Sequence, residues 1–544
     1  MTMLAVQFAA GLFAACGTAL VWKLVVRWVK QAPLRNIPGP PSKSLWSGNM
    51  GEVFDLRGWK FHADIAAKYG RIVKLNGILG DAFLYVSDTR ALYQILIKDQ
   101  YTFEEPSEVI EMNKLVFGPG LVSALGEDHK RQRKLLTPVF SSSHMRYMTP
   151  IFDRIAHQVE NEKGRAEIDM MDWMTRAALE IIGQGGLGYS FDSMDVNAKN
   201  VYANATKNLL PTVTSPKMMI AGQFLPWAVK VGNAAFRKFA AKYIPWKEWQ
   251  NLVGIVDVMD RTSRHVFDSK KRALEMGDEA VLKQVGEGKD LTSILLKANM
   301  DVAEEDRLPE SELVAQMNTL IFAAMDTTSS ALSRILQLLT ENPSVQDKLR
   351  AELTEATANG DLNYDSLNAL PYLEAVVRET LRLHPPAVSV NRTCRKDTML
   401  QLGTPIIGVD GKKMSEIFVP NNTSIIISIL SVNRDPGIWG PDVMEWKPER
   451  WLAPLPSSVT DAHIPGVYAN TLTFLGGGRA CIGFKFSQLE MKVILAALLP
   501  AFQFAPSKKH ISWTMGGVSG PVVEGSSQPT MPLVLTLVKG KNGV

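Results

Sequence analysis

The sequence predicts a mainly α-helical protein with small β-sheets, set behind one apolar N-terminal segment. From about residue 127 to 385, apolar residues recur at spacings of three and four with few prolines, which is the period of packed helices. Short runs of β-branched residues and leucine predict strands at residues 72–75, 82–86, 423–429 and 531–538. The N-terminus is apolar over about 20 residues, the length of one membrane span.

The N-terminal apolar run, residues 3–22, is followed by basic residues beginning with Lys23 and Arg27. We therefore expect residues 1–30 to anchor the chain in a membrane, and the positive-inside rule places the remainder in the cytosol. A cleaved signal peptide is the alternative, although its positive charges would precede the apolar run. Glycosylation would distinguish the two topologies, because the chain has N-x-S/T sequons at Asn204, Asn391, Asn421 and Asn422.

A proline-rich stretch, residues 31–45, comes next. Its Pro38, Pro40 and Pro41 fix φ and resist helix formation, so the sequence predicts a stiff hinge between the anchor and the body of the protein. No long polar linker interrupts the rest of the sequence. We therefore expect residues 46–544 to form one large domain.

The composition excludes several classes of function. The 544 residues are 46% hydrophobic and 21% charged, as in ordinary globular proteins, and the net charge of +4 gives no basis for binding nucleic acid. The three cysteines, Cys16, Cys394 and Cys481, are too few for a disulfide scaffold and suit a reducing compartment. The sequence contains no phosphate-binding P-loop, no dinucleotide fingerprint and no H-E-x-x-H pair.

Cys481 lies in a glycine-rich loop directly before an apolar-periodic helix. Phe474, Gly477, Arg479 and Gly483 surround it with the spacing F-x-x-G-x-R-x-C-x-G. Glycines let the backbone turn tightly and approach a flat ligand, and the free N–H groups at a helix start favour an anionic sulfur. The pattern indicates a thiolate ligand. The alternative is that Cys481 is a small buried hydrophobe, which is the commoner role of an isolated cysteine.

This spacing resembles the haem-binding loop of the cytochromes P450. The proline-rich hinge is similar to that of membrane-anchored eukaryotic members, and residues 126–136 and 178–188 resemble segments of basidiomycete P450s. The resemblance implies a cytochrome P450 fold behind a single N-terminal transmembrane helix, with residues 46–544 as the catalytic domain. It also implies a haem b cofactor whose iron is bound by the thiolate of Cys481, the metal ligand.

An acid and two hydroxyls lie inside a long apolar-periodic segment, at residues 323–328, Ala-Ala-Met-Asp-Thr-Thr. A threonine can return its hydroxyl to the carbonyl one turn earlier and open a groove for a small ligand, whereas the alternative is a solvated polar patch. The resemblance implies catalytic roles here: Thr327 holds dioxygen and its water, and Asp326 relays protons. The family usually has glycine where this chain has Ala324, which implies a more crowded groove.

Glu379 and Arg382 stand three residues apart on one predicted helix face. Taken alone they form an ordinary exposed ion pair, worth at most about 1 kcal/mol. Arg450 lies in a Pro-Glu-Arg-Trp sequence shortly before the cysteine loop, and the two segments match the E-x-x-R and P-E-R-W elements of the P450 core. The resemblance implies that the three residues form a buried structural network bracing the haem pocket.

The two propionates of a buried haem need positive donors. The resemblance implies that these are Arg479 in the cysteine loop, Arg392 after the Pro-Pro turn, and Arg133 on a helix that usually reads W-x-x-x-R. His129 occupies the tryptophan position and can still donate a hydrogen bond to a carboxylate. Together with Cys481, the expected cofactor-binding residues are Arg133, His129, Arg392, Arg479, Phe474 and Gly483.

The resemblance implies a monooxygenase that uses O2 and electrons from NADPH-cytochrome P450 reductase, because the chain has no motif for a flavin domain of its own. Basic residues on the face expected to meet that acidic partner are candidates for steering it: Lys130, Arg131, Lys134 and Lys485. The alternative is that they are ordinary solvated surface charges. The resemblance also implies an endoplasmic reticulum location, with the anchor in membrane lipid and the catalytic domain in the cytosol. The apolar, tryptophan-bearing stretch 224–246 is expected to touch the membrane.

The substrate pocket is expected to be apolar, which predicts a hydrophobic small molecule such as a terpenoid of fungal secondary metabolism. The resemblance implies that its lining is residues 109–121, 209–224, Phe322, Ala323, Val388, Val390 and 518–522. The alternative is that these apolar residues are simply part of the core. Two alternatives stay open. A P450 that consumes or rearranges peroxides needs no reductase and often departs from the acid–alcohol pair, and a non-catalytic membrane haem protein would be expected to lose that pair.

Overall fold

The computed structural model describes residues 18, 22, 25–157, 165–195, 197, 201–277, 288–358, 360, 362–526 and 528–538. Helices dominate, which confirms the predicted class. The first helices in chain order are α1 (Met50–Val53), α2 (Trp59–Tyr69), α3 (Thr89–Tyr93), α4 (Ser107–Phe117), α5 (Gly126–Leu136), α6 (Ser142–His157), α7 (Met170–Ile181), α8 (Val201–Lys207), α9 (Leu209–Val213), α10 (Pro216–Gly222) and α11 (Leu225–Ala228).

The remaining helices include the two longest among the described residues, with 30 and 32 residues. They follow in the order α12 (Ala234–Lys242), α13 (Lys247–Met276), α14 (Leu291–Asp301), α15 (Glu310–Glu341), α16 (Pro343–Thr357), α17 (Tyr364–Asn368), α18 (Pro371–Leu383), α19 (Ile429–Asn433), α20 (Pro436–Trp439), α21 (Ser457–Thr460) and α22 (Phe484–Ala501).

The strands are short, as the sequence predicts. They are β1 (Ile72–Asn76), β2 (Ala82–Val86), β3 (Phe103–Glu104), β4 (Arg165–Asp169), β5 (Ser389–Cys394), β6 (Thr398–Ile407), β7 (Lys413–Val419), β8 (Ser424–Ser428), β9 (Phe502–Pro506), β10 (Ile511–Thr514), β11 (Gly520–Val523) and β12 (Pro532–Leu537). The four predicted strands correspond to β1, β2, β8 and β12, with ends that differ by at most one residue.

The chain divides into two compact units, and the first contains residues 1–106, 389–432 and 462–465. Its five-stranded sheet has the order β1-β2-β8-β5-β3, in which β2 pairs parallel to β8 while the other neighbours are antiparallel. Every residue of β2 is buried, which explains its unbroken apolar sequence. The β6–β7 hairpin forms a separate two-stranded sheet.

The proline-rich stretch packs as part of this first unit. Leu34 and Ile37 are fully buried, and the carbonyl of Pro38 accepts a hydrogen bond from the Lys74 N–H on β1 at 2.9 Å. Gly39 is required there, because a Cβ would come within 1.9 Å of the Lys74 carbonyl oxygen. The hinge therefore docks along β1.

The second unit, residues 107–388, 433–461 and 466–544, contains the long helices. Helix α15 runs for 32 residues through its core and packs against α7. Helix α22 packs against α6, where the Phe486 and Phe152 rings meet at 4.9 Å. Two small sheets complete the unit, one with the order β4-β12-β9 and one made of β10 and β11.

The predicted membrane anchor at residues 1–30 lies largely outside the described residues. Among the residues that are described, every helix falls short of the length and apolarity that a membrane span requires.

Candidate functional site

The cysteine loop connects a tight hairpin to the start of α22. Leu475 and Gly477 both adopt left-handed backbone conformations, with φ of 55° and 69°, and residues 477–479 form one 3₁₀ turn. The Cys481 N–H then donates to the carbonyl of Phe474 at 2.9 Å, which closes the loop. Gly483 is the residue that precedes the first turn of α22. The loop thus holds the sulfur close to the N-terminus of an 18-residue helix.

The Cys481 side chain has two properties that coexist only at the wall of an interior space. It is solvent-accessible, yet protein atoms surround it so densely that burial is the main influence on its pKa. Burial raises the pKa of the thiol, although a hydrogen bond from Gly483 and the positive charge of Arg133 oppose that rise. The free thiol is thus favoured in the protein alone, whereas coordination to a metal would deprotonate it.

Arg133 supplies an unused positive donor beside this sulfur. It lies on α5, half-buried, and its charge interacts with Cys481. Within the described part of the chain its guanidinium makes no hydrogen bond and no ion pair. His129, one helical turn earlier on the same helix face, is buried. Arg479 approaches from the cysteine loop and donates to the carbonyl of Ala124 at 2.8 Å. These donors suit a ligand that carries carboxylates.

Helix α15 is partly exposed midway along its length. Ala323 is exposed although most neighbouring residues of α15 are buried, so this part of the helix also faces a space inside the unit. The Thr327 hydroxyl donates to the Ala323 carbonyl at 2.7 Å, the back-bond that was expected from the sequence. The expectation that Ala324 crowds the groove stays a prediction.

Asp326, beside Thr327, has an unusual proton affinity. Burial raises the pKa of its carboxyl from 3.8 to about 7, and the positive charge of Lys207 on α8 opposes the rise. The contact between the Thr206 hydroxyl and the Met325 sulfur, at 3.5 Å, places the end of α8 against α15 at this point. A carboxyl with a pKa near 7 can both take up and release a proton at neutral pH.

Glu379, Arg382 and Arg450 lie together in the core. Arg382 donates to both carboxylate oxygens of Glu379, at 2.8 and 2.9 Å, and Arg450 donates to the same carboxylate at 3.3 Å. Two further donors complete the shell of Glu379, the indole of Trp451 at 3.0 Å and the N–H of Lys447 at 3.1 Å. The three residues therefore form a buried network, and the alternative of an exposed ion pair is wrong.

Arg392 belongs to the first unit, on β5, where it is buried. It forms an ion pair with Glu105 at 3.4 Å and donates to its neighbour's carbonyl, that of Asn391, at 2.8 Å. Burial lowers the pKa of Arg392, and Glu105 opposes this effect. No sequence pattern indicates Glu105 as a partner of Arg392, because the two residues are 287 positions apart in the chain.

The residues present fit a haem. An accessible thiol lies at a helix N-terminus, a half-buried arginine beside it lacks a partner among the described residues, and α15 carries an acid–alcohol pair next to the exposed Ala323. Thiolate, guanidinium and imidazole are the groups that bind the iron and the propionates of this cofactor.

This fold and this set of donors suit a thiolate-ligated haem protein. The comparison with protein families is more specific, because the cytochrome P450 family model matches residues 38–519. The chain belongs to the cytochrome P450 family, whose members carry a haem-thiolate iron, and it is a monooxygenase by class.

Fungal relatives match almost the whole chain. Cytochrome P450 monooxygenase 91 of Postia placenta is 49% identical over 96% of this chain and 98% of its own length. A ganoderic acid synthetase of Ganoderma lucidum is 41% identical over 97% and 98% of the two chains. A P450 monooxygenase of Hericium erinaceus is 38% identical over 94% and 96%. These relatives confirm the resemblance to basidiomycete P450s.

Proposed function

We propose that this chain accepts electrons from NADPH-cytochrome P450 reductase and uses O2 to hydroxylate or otherwise oxidise a hydrophobic small molecule. The observation that carries the proposal is the pair Asp326 and Thr327, since a carboxyl of near-neutral pKa beside a hydroxyl is suited to delivering protons to bound dioxygen. A peroxide-using or non-catalytic P450 has no need of that pair.

The cofactor is proposed to be haem b. When bound through Cys481, it would supply the cleavage of the O–O bond and the oxidation of a substrate C–H bond. Arg133, His129 and Arg479 would bind its propionates, and Arg392 is proposed as a further donor. The Glu379 network would keep the surrounding helices in place.

Apolar contacts support a hydrophobic substrate. Among the segments expected to line the pocket, Phe117 on α4 meets Phe322 on α15 with ring centroids 5.0 Å apart. Leu210 on α9 closes against Gly517, where an added Cβ would lie 2.9 Å from the leucine side chain. The name of one relative, ganoderic acid synthetase, supports a terpenoid-like substrate in fungal secondary metabolism.

The ion pairs of the four basic residues indicate which of them are better candidates for binding the reductase. Lys130 pairs with Glu127, and Arg131 pairs with Glu312 at 3.0 Å, so much of their charge is already neutralised. Lys134 is exposed and has no ion-pair partner among the described residues, and Lys485 donates only to the hydroxyl of Ser142 at 3.0 Å. Lys134 and Lys485 are therefore the better candidates for steering an acidic partner.

A location at the endoplasmic reticulum membrane, with the catalytic domain in the cytosol, is also proposed. Large apolar side chains on α10–α12 and the turns beside them point into solvent, which is costly unless lipid covers them. They are Ile220, Phe224, Trp227, Val231, Phe236, Phe239 and Tyr243.

The first test is the reduced carbon monoxide difference spectrum of membranes that contain wild-type or Cys481→Ala protein. We expect a thiolate-type Soret band in the wild type alone. Absence of haem from the wild type, or a band that survives the substitution, would contradict the proposal. Turnover of terpenoid substrates is then measured under two conditions, with NADPH plus reductase and with hydrogen peroxide alone. Product formed equally well with peroxide alone would favour the peroxide-using alternative.

A further inference from the structure

Glu374, on α18, joins three separate segments of the second unit. Its carboxylate accepts a hydrogen bond from the Tyr468 hydroxyl at 3.0 Å and one from Arg378, a turn later on the same helix. Lys492 on α22 forms an ion pair with it at 2.6 Å. One carboxylate thus ties α18 to the hairpin before the cysteine loop and to the helix after that loop.

The contact with Tyr468 reaches the beginning of the cysteine loop. The Tyr468 ring packs edge-on against Phe474, with centroids 5.6 Å apart, and Phe474 provides the carbonyl that accepts the Cys481 N–H. The hairpin between these aromatic residues is tight. Ala469 and Asn470 both have left-handed backbone conformations, and the Thr471 N–H donates to the Tyr468 carbonyl at 3.0 Å. A displacement of Tyr468 would therefore be transmitted to Phe474.

The contact with Lys492 fixes the end of the loop. Lys492 is almost fully buried, and it also donates to the side-chain oxygen of Asn368 at 2.6 Å. It lies on α22 about three turns after Cys481. A buried lysine needs a carboxylate partner, so Glu374 holds α22 at a set position along its axis.

The charge balance keeps Glu374 ionised. Burial raises the pKa of its carboxyl, but Lys492 and Arg378 outweigh that effect and lower the pKa overall. The described hydrogen bonds of the Glu379 network include neither Tyr468 nor Lys492. Among these described contacts, the two networks meet only through Arg378, whose guanidinium lies 5.8 Å from the ring of Trp451.

We infer that Glu374, Tyr468 and Lys492 form a clamp on both ends of the cysteine loop, and that this clamp positions the Cys481 sulfur as an iron ligand. The three side chains are positioning residues, since none of them contacts the sulfur. The inference rests on the proposed role of Cys481.

The test compares Tyr468→Phe with Tyr85→Phe in the full-length, haem-loaded protein. Both substitutions remove one buried hydroxyl and leave the ring. The Tyr85 hydroxyl, in the first unit, is hydrogen-bonded to Ser428 at 2.6 Å and to His62 at 2.9 Å, so it controls for a general loss of stability. The readout is the rate at which the thiolate-type reduced carbon monoxide band disappears in sub-denaturing urea while haem stays bound.

We expect Tyr468→Phe to accelerate loss of the band about tenfold, since a hydrogen bond to a charged group is removed, and Tyr85→Phe to change it less than about twofold. Lys492→Met should accelerate the loss as well, and the double variant Tyr468→Phe/Lys492→Met should fall short of the product of the single effects. Equal rates for the two tyrosine variants would overturn the clamp. A wild type without a thiolate-type band would instead overturn the proposed function.

Discussion

Arg382 and Glu379 form a two-point ion pair in which neither side chain has any solvent exposure. Burying two charges is costly, and only a complete shell of hydrogen bonds offsets that cost. The shell is complete here, because Arg382 also donates to the Asn433 carbonyl at 2.9 Å while Trp451 and Lys447 donate to Glu379. Removing one partner would leave an uncompensated charge in the core.

Arg382→Lys is therefore expected to destabilise the protein by about 3–5 kcal/mol, since lysine cannot reproduce the planar two-point contact. Urea unfolding and haem content are the measurements. Arg146→Lys is the matched control, because Arg146 makes the same two-point contact with Asp365 at the surface, where solvent screens the charges and the pair adds little to stability. Similar losses in the two variants would contradict the prediction.

Asp326→Asn is expected to lower turnover and to stabilise the fold at neutral pH. The pKa of Asp326 is raised from 3.8 to about 7 on folding, so ionisation favours the unfolded chain as pH rises between those values. That difference corresponds to about 4 kcal/mol at most. The gain in unfolding free energy should be present at pH 8 and vanish near pH 4. A gain that does not change with pH would refute the assignment.

Lys207→Met is expected to raise the pKa of Asp326 further, because the opposing positive charge is lost. If protonated Asp326 delivers the proton, turnover falls as pH rises through that pKa, and the fall should move to higher pH in the variant. The pH profile of turnover tests this. Lys217→Met, which removes an exposed lysine paired with Glu248, should leave the profile unchanged.

Ala469 tests the strain in the hairpin before the cysteine loop. Its φ of 55° costs an L-residue about 1 kcal/mol, and a β-branched side chain more. We expect Ala469→Gly to be tolerated and Ala469→Val to destabilise the protein by about 2 kcal/mol. Thermal unfolding of the two variants measures the difference, and equal melting temperatures would show that the turn relaxes freely.

Sequence patterns predict those parts of the structure that depend on residues close together in the chain. The cysteine loop, the α15 motif and strands β1, β2, β8 and β12 each depend on neighbouring residues. Strand β6 was missed, because a register shift between Gln401 and Ile406, with Gly403 and Pro405 inside it, interrupts the alternation of apolar and polar residues.

Contacts between residues that are far apart in the chain produce no recognisable pattern in the sequence. Tyr468 and Glu374 are 94 residues apart, and neither lies in a recognisable motif. The ion pair of Arg392 with Glu105 joins β5 to the segment after β3, and no motif indicates Glu105. Burial of Glu379 and Arg382 could be expected only through the family resemblance, since a spacing of three on a helix is equally common at surfaces.

In the strand order β1-β2-β8-β5-β3, two neighbouring strands are synthesised at widely separated times. Tyr85 on β2 bonds to Ser428 on β8 across 343 residues of chain, so β2 emerges from the ribosome long before its neighbour exists. At typical translation rates of about 5–20 residues per second, the apolar edge of β2 waits roughly 20–70 s for its partner. During that interval it can pair with other chains, so nascent chains that end before β8 should depend on chaperones to stay soluble.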